Sequence, residues 1–246
     1  MTTTRTATAA ADHELRVTDL GTVLSVWAHP DDETYLAGGI MAAVRDLGGR
    51  VVCVTATRGE SADENATSAA RSALAATRTR ELSEAFDVLG IDEHHWLDLP
   101  DGGLEALDPA TPVGRIAALL DEVRPDTVLT FGPDGVTGHP DHRTVNRWVL
   151  RAIASAGVET RVLHPVATGR AVEYDLAREF DMWALGGPRQ CPTEKVALRL
   201  RLAGAELDRK VDALLAQRSQ TEDLAAAIGL DRYRTWVSVE AYAHPA

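Results

Sequence analysis

The chain has 246 residues, 45% hydrophobic and 25% charged, with a formal net charge of −12. That length is enough to bury a sizeable core in one domain, and the composition is that of an ordinary globular protein. The acidic balance argues against nucleic acid or an anionic membrane as the main partner, since both reward clustered Lys and Arg.

Met1–Ala11 is rich in Thr and Ala and lacks the apolar core of a secretion signal. Residues 1–20 therefore read as a flexible tail ahead of a single domain over 21–246. No apolar run approaches the roughly 20 residues of a membrane span. Cys53 and Cys191 are the only cysteines, too few for a disulfide framework. Reduced thiols and a cytoplasmic setting are expected.

Thr22–Ala28 is an almost continuous apolar run and predicts a first strand. A helical pattern over 36–47 follows and stops at Gly48-Gly49. Arg50–Ala56 predicts a second strand and Ser68–Leu89 a long helix closed by Gly90. His95–Leu99 is a third strand, Val113–Val123 a helix before Pro125, and Asp126–Phe131 a fourth strand. Pro140–Ala156 reads as a helix ending at Gly157 and Arg161–Ala167 as a strand. Glu194–Gln220 shows helical spacing with a possible break at Gly204, and Thr235–Ala241 predicts a last strand. Apolar runs without alternation suit strands covered on both faces. Strand and helix in repeated succession predict a Rossmann-like, doubly wound α/β fold with a mostly parallel sheet.

Ligands of such sheets bind beyond the carboxyl ends of the strands. The loop after the first strand reads Ala28-His29-Pro30-Asp31-Asp32-Glu33, and the one after the fourth contains Gly138-His139-Pro140-Asp141-His142. Imidazole and carboxylate are standard zinc ligands, and a catalytic zinc keeps three protein ligands and one open position. A His followed three residues later by an Asp lets one turn direct both at a single point, stiffened here by Pro30. Pro140 suits the first position of a helix, which sets His139 and His142 beside a helix N-terminus that favours an anion. Two such elements at strand ends of one sheet point to a metal site of His and Asp ligands.

In these residues the chain resembles the LmbE-like, or PIG-L-type, zinc-dependent de-N-acetylases. Weaker matches are Arg58-Gly59-Glu60, the helix segment Arg78–Gly90, Asp101-Gly102, and Lys210 through Ser219-Gln220, so that the likeness runs from about Thr22 to Gln220. The resemblance implies zinc, with Fe²⁺ the alternative, held by His29, Asp32 and His142. It implies Asp31 as general base toward the attacking water. His139 would stabilise the oxyanion or protonate the leaving amine, with a fourth ligand as the alternative. Arg78 and Asp101 are implied as substrate-binding residues, and Arg58 with Glu60 as a supporting pair. Asp141 reads better as a partner orienting a histidine or as a first-turn carboxylate. Where some sugar-deacetylating relatives carry a tyrosine before Gly-His-Pro-Asp-His, this chain has Thr137, whose hydroxyl is shorter and less acidic.

The expected substrate is a small N-acyl amino-sugar conjugate, deacetylated by hydrolysis. The alternatives are a thiol-conjugate amide of the mycothiol type and, from another class, a binding module on the same fold. A phosphoesterase would need further ligands for a second metal, and a dinucleotide-binding protein would need a G-x-G-x-x-G where His-Pro-Asp-Asp stands. His164 reads as a core histidine and His13, His94, His95 and His244 as peripheral. The segment 183–192, with Gly186-Gly187-Pro188, reads as a lid over the site or an ordinary loop.

Overall fold

In the computed structural model, which describes residues 14–62, 65–168, 179–180 and 184–246, the strands are β1 (Val23–Trp27), β2 (Val51–Thr57), β3 (Glu93–Leu99), β4 (Thr127–Thr130), β5 (Arg161–Pro165), β6 (Leu198–Arg201) and β7 (Val239–Ala243). They form one sheet in the order β3-β2-β1-β4-β5-β7-β6. β1, β2, β3, β4 and β5 pair in parallel, whereas β7 is antiparallel to both β5 and β6. Every residue of β1, β2 and β4 is buried, as central strands covered on both faces must be. The fold is the expected mostly parallel α/β arrangement. Chain order reverses between β1 and β4, and the crevice at that switch point is where such sheets bind ligands.

The helices are α1 (Asp32–Asp46), α2 (Ser68–Leu89), α3 (Ala110–Val123), the short turn α4 (Gly135–Gly138), α5 (Pro140–Ala156), α6 (Gly204–Ala216), α7 (Arg218–Ile228) and α8 (Leu230–Val237). α1, α2 and α6 pack together, and α3 packs on α5. α2 is capped at its start by the Thr67 side chain and at its end by Gly90 in the left-handed region, the two signals legible in the sequence.

Three expectations need correction. α1 begins at Asp32 rather than at 36, because Asp31 turns the chain and leaves Asp32 and Glu33 in the first turn, where the helix dipole favours carboxylates. The segment 194–220 is not one helix: Leu198–Arg201, buried at Leu198 and exposed by Arg201, forms edge strand β6, and the helix starts only at Gly204. Thr235–Val237 ends a helix, α8, and the last strand runs Val239–Ala243. Of the expected tail, residues 1–13 lie outside the described residues. Leu15, however, bridges Leu198, and Leu20 is fully buried, so Glu14–Leu20 pack on the domain.

An ion pair ties the C-terminal elements to α1. Glu240 on β7 accepts from Lys210 Nζ of α6 at 2.6 Å and from the α1 amides of Gly39 and Ile40 at 2.7 and 2.8 Å. Lys210 also donates to Tyr35 O at 2.8 Å. Both charged side chains are 1% exposed, and hydrogen bonds of this kind are what makes burying such a pair tolerable. Cys53 and Cys191 are both free thiols. No helix among the described residues is long and apolar enough to cross a membrane.

Candidate metal centre

The β1 loop is strained. Asp31 sits at φ 99°, ψ −35°, a region a non-glycine residue enters only when its surroundings over-determine it, at about 1–3 kcal/mol. Those surroundings are explicit. Arg78 of α2 donates to Pro30 O, to Gly59 O at 2.9 Å and to Asp31 Oδ2 at 3.2 Å. The Asp31 amide donates to Glu33 Oε2 at 3.2 Å, and Asp31 O accepts from Thr34 and Tyr35 at 3.0 and 2.9 Å. Glu33 is fully buried and is held in turn by the Thr34 hydroxyl at 2.6 Å and Gln217 Nε2 at 3.1 Å. Gly59, at φ 67°, lies where a Cβ would collide with the Arg78 guanidinium, so a glycine is required there.

The tightness of the loop brings three side chains to one point. His29 Nδ1 is 3.2 Å from His142 Nε2 and 3.4 Å from Asp32 Oδ2, and His142 Nε2 is 3.3 Å from Asp32 Oδ1. Donors on a tetrahedral ion with bonds of about 2.0–2.1 Å stand about 3.3–3.4 Å apart, and each of these spacings is near that value, with Asp32 meeting His29 through Oδ2 and His142 through Oδ1. Each ring is oriented from its far side. His142 Nδ1 donates to Gly135 O at 2.9 Å, which leaves the Nε2 lone pair facing inward. His29 Nε2 faces Asp101 Oδ1 at 3.0 Å and Asp141 Oδ2 at 3.4 Å, which turns its Nδ1 inward. The His142 ring is stacked on Phe131 at 4.1 Å and 10°. The donor set fits a divalent ion.

His139, at the N-cap of α5, is 5.0 Å ring to ring from both His29 and His142, and the three imidazoles form a metal-capable group. Its Nδ1 accepts from the Asp141 amide at 3.1 Å, so in the neutral ring the proton is on Nε2. Thr137 Oγ1 lies 3.3 Å from His142 Nδ1.

Charge follows this packing. Burial pushes the Asp31 carboxyl up to about 7 against the pull of the Arg78 guanidinium, with Asp32 adding repulsion. Burial also disfavours the Asp32 carboxylate, but His142 and His29 outweigh it and hold the group at about 2. Burial, opposed by Asp32 and reinforced by His29, lowers His142 to about 4. For His29, burial is overcome by Asp101, Asp141 and Asp32, and the ring is raised well above the ordinary range. His139 is lowered by burial and then by His29.

Asp101 and Arg78 both line the cavity above the site, yet each is already engaged. Besides His29, Asp101 accepts from the Ser61 amide at 2.7 Å. Asp141 also accepts from the amides of Gly102 and Leu104, at 2.9 and 3.0 Å. The expected Arg58–Glu60 pair does not form: Arg58 binds Asp98 at 2.6 Å and lies over Trp96, while Glu60 accepts from the Asp101 amide at 3.1 Å. His164 is buried, with Nε2 3.3 Å from Asn146 Nδ2. Trp183 lies outside the described residues, but Leu185 and Pro188 line the cavity. Gly138 (φ 78°) leaves no room for a Cβ against the Leu185 carbonyl.

The cavity measures about 860 Å³, toward the upper end of the range of about 300–1,000 Å³ for small-molecule sites. Its lining also includes Tyr35, Gln220, Trp236 and Glu240. Among these, sequence reasoning missed Tyr35, Trp236 and Glu240. Tyr35 stands one turn after Asp31 on the same helix, a signal within reach once α1 is started correctly, whereas Trp236 was hidden by the predicted strand.

The switch point of the doubly wound sheet thus carries a candidate His/Asp metal site. Residues 24–153 match the family PIG-L, described as GlcNAc-PI de-N-acetylase, and the chain belongs to it. It is 34% identical over 213 residues to a 1D-myo-inositol 2-acetamido-2-deoxy-alpha-D-glucopyranoside deacetylase of Kineococcus radiotolerans, with 75% of this chain and 56% of the relative covered. It therefore spans little more than half the length of that relative. A probable N-acetyl-alpha-D-glucosaminyl L-malate deacetylase 2 of Bacillus cereus is 33% identical, over 81% of this chain and 84% of the relative. The N,N'-diacetylchitobiose deacetylase of Pyrococcus horikoshii shares the fold, with a TM-score of 0.59, 24% identity, and 88% of this chain and 76% of that one covered.

Proposed function

We propose that the protein is a metal-dependent amide hydrolase that removes the acetyl group from an N-acetylglucosamine-type conjugate. The observation that carries this reading is the convergence of His29 Nδ1, the Asp32 carboxylate and His142 Nε2 within 3.2–3.4 Å of one another, with both imidazoles oriented from behind. Membership of the PIG-L family and the named activities of the two relatives support the substrate class. In this reading His29, Asp32 and His142 hold the ion, zinc in preference to Fe²⁺. Bound there, a divalent ion supplies an acidified water and polarises the amide carbonyl.

The remaining roles fall to the chain's own groups. Asp31 takes the proton of the attacking water: burial raises its carboxyl to about 7, near the optimum for a general base at neutral pH. Arg78 and Glu33 hold the Asp31 backbone and carboxylate in place, which makes them positioning residues. His139 carries its proton on Nε2 and hydrogen-bonds it to the developing oxyanion, and the proton that Asp31 takes from the water passes to the leaving amine. Asp101 and Asp141 accept from His29 Nε2, a positioning role that takes precedence for Asp101 over direct substrate binding. In this reading residues 21–246 are one domain, onto which Glu14–Leu20 pack, and the setting is cytoplasmic, which the free thiols suit.

The test is amine release across N-acetylglucosamine conjugates and a thiol-conjugate amide, with metal content measured on the same samples. Turnover of the sugar conjugates that tracks metal content is expected. Faster cleavage of the thiol-conjugate amide would move the substrate assignment there, and activity independent of metal would overturn the mechanism.

A further inference from the structure

Tyr35 stands one turn beyond Asp31 on α1, and both line the cavity. Its hydroxyl is 2.8 Å from that of Tyr233 on α8. Its ring packs at 5.4 Å and 43° against Trp236, which lines the cavity too. Burial holds both phenols well above the ordinary tyrosine range, so both keep their protons.

Two phenols bring two protons to this contact, and a single hydrogen bond joins them. Tyr233 is fully buried, and no other group among the described residues meets its hydroxyl. Were Tyr35 the donor, the Tyr233 proton would be stranded in the core, which a buried polar group does not tolerate cheaply. Tyr233 therefore donates to Tyr35, and the half-buried Tyr35, which lines the cavity, keeps its own O–H for a further acceptor. Accepting the first bond strengthens Tyr35 as donor of the next.

The neighbouring groups define what this donor can meet. Glu240, which also lines the cavity, is consumed by Lys210 and by the Gly39 and Ile40 amides. An anionic ligand group would face the Asp31 carboxylate, and a wholly apolar one would leave the Tyr35 proton unpaired. A neutral ring with hydroxyls on its rim and C–H bonds on its face satisfies both the phenol and the indole. Resting on the deacetylase reading above, we propose that Tyr35, oriented by Tyr233, donates a hydrogen bond to a hydroxyl of the sugar unit while Trp236 packs on the sugar's apolar face.

Binding of phenyl N-acetylglucosaminide to metal-loaded Asp31→Asn protein, read by calorimetry, tests this apart from turnover. Steady-state kinetics on the active protein follow the same variants. Tyr35→Phe is expected to weaken binding about five- to tenfold, the value of one good hydrogen bond. KM should rise by a similar factor at unchanged kcat and metal content. Tyr233→Phe, which keeps the Tyr35 proton but frees its direction, should give a smaller loss of the same sign. Undiminished affinity in Tyr35→Phe, a fall in kcat at constant KM, or no binding to the Asp31→Asn parent overturns the assignment. Binding that weakens in Tyr35→Phe while wild type cleaves no amide leaves the sugar subsite standing and removes the deacetylase reading.

Discussion

On the strand-end side of the cavity, Asp31 is held at φ 99° by the Arg78 guanidinium and the Glu33 carboxylate, and each of His29, Asp32 and His142 has a second partner behind it. On the helical side, Tyr35, Tyr233 and Trp236 are placed mainly by ring packing, with centroids 5.4–6.3 Å apart, and a single hydroxyl contact. Buried charge loses energy steeply when its partners move, so the first side is tied at nearly every polar atom. Aromatic packing is broad and non-directional, so the second side tolerates repacking. The family match at 24–153 takes in the first side and of the second only Tyr35. The His29, Asp32 and His142 side chains thus lie in the matched segment, and Tyr233 and Trp236 lie outside it.

The sharpest way to break this division is to remove one charged group from the tied side. His142→Ala is expected to lose metal and activity together. Asp31→Asn should keep its metal and lose about 10²–10⁴ of turnover, the worth of a positioned base. Metal analysis and amine release on the same preparation distinguish the two, and unchanged turnover in Asp31→Asn would take the base role from that residue.

The Lys210–Glu240 pair is the one strongly polar element on the helical side. Lys210→Met strands a carboxylate at 1% exposure and is expected to cost about 3–5 kcal/mol in denaturant unfolding. The double variant Lys210→Met/Glu240→Gln should recover part of that loss. An unchanged midpoint for the single variant would show that the two sides do not differ in how they hold charge.

Arg78→Lys sharpens the comparison further. One ammonium cannot replace a guanidinium that reaches two carbonyls and a carboxylate, so kcat should fall about 10–100-fold with metal retained and KM nearly unchanged. A rise in KM at constant kcat would return Arg78 to direct substrate binding.

The smallest effect concerns pH and stability away from the site. Burial lowers His164 to about 4 from the ordinary 6.5. Between those values the unfolded chain binds the proton and the folded one does not, so stability is lost as pH falls from about 6.5 to about 4. A His164→Gln variant should show a shallower decline in unfolding midpoint over that window, and an identical slope would remove His164 as a cause.

The amino-acid sequence by itself determined the alternation of strands and helices, the two His-Pro-Asp loops at strand ends, and the bringing of His29, Asp32 and His142 toward one crevice. These follow from short-range rules: apolar runs, glycine stops, a proline-stiffened turn, a helix start. The start of α1 at Asp32 and the helix through Trp236 were not legible, because a strained φ and a short terminal helix leave little periodic signal. Only the tertiary structure decided that Asp101 faces His29 and that Arg58 pairs with Asp98 rather than Glu60. It alone decided that Arg78 braces the Asp31 loop and that Tyr35 meets Tyr233. A side chain's local context sets where it starts, but its hydrogen-bond partner is chosen by whichever distant segment packs against it.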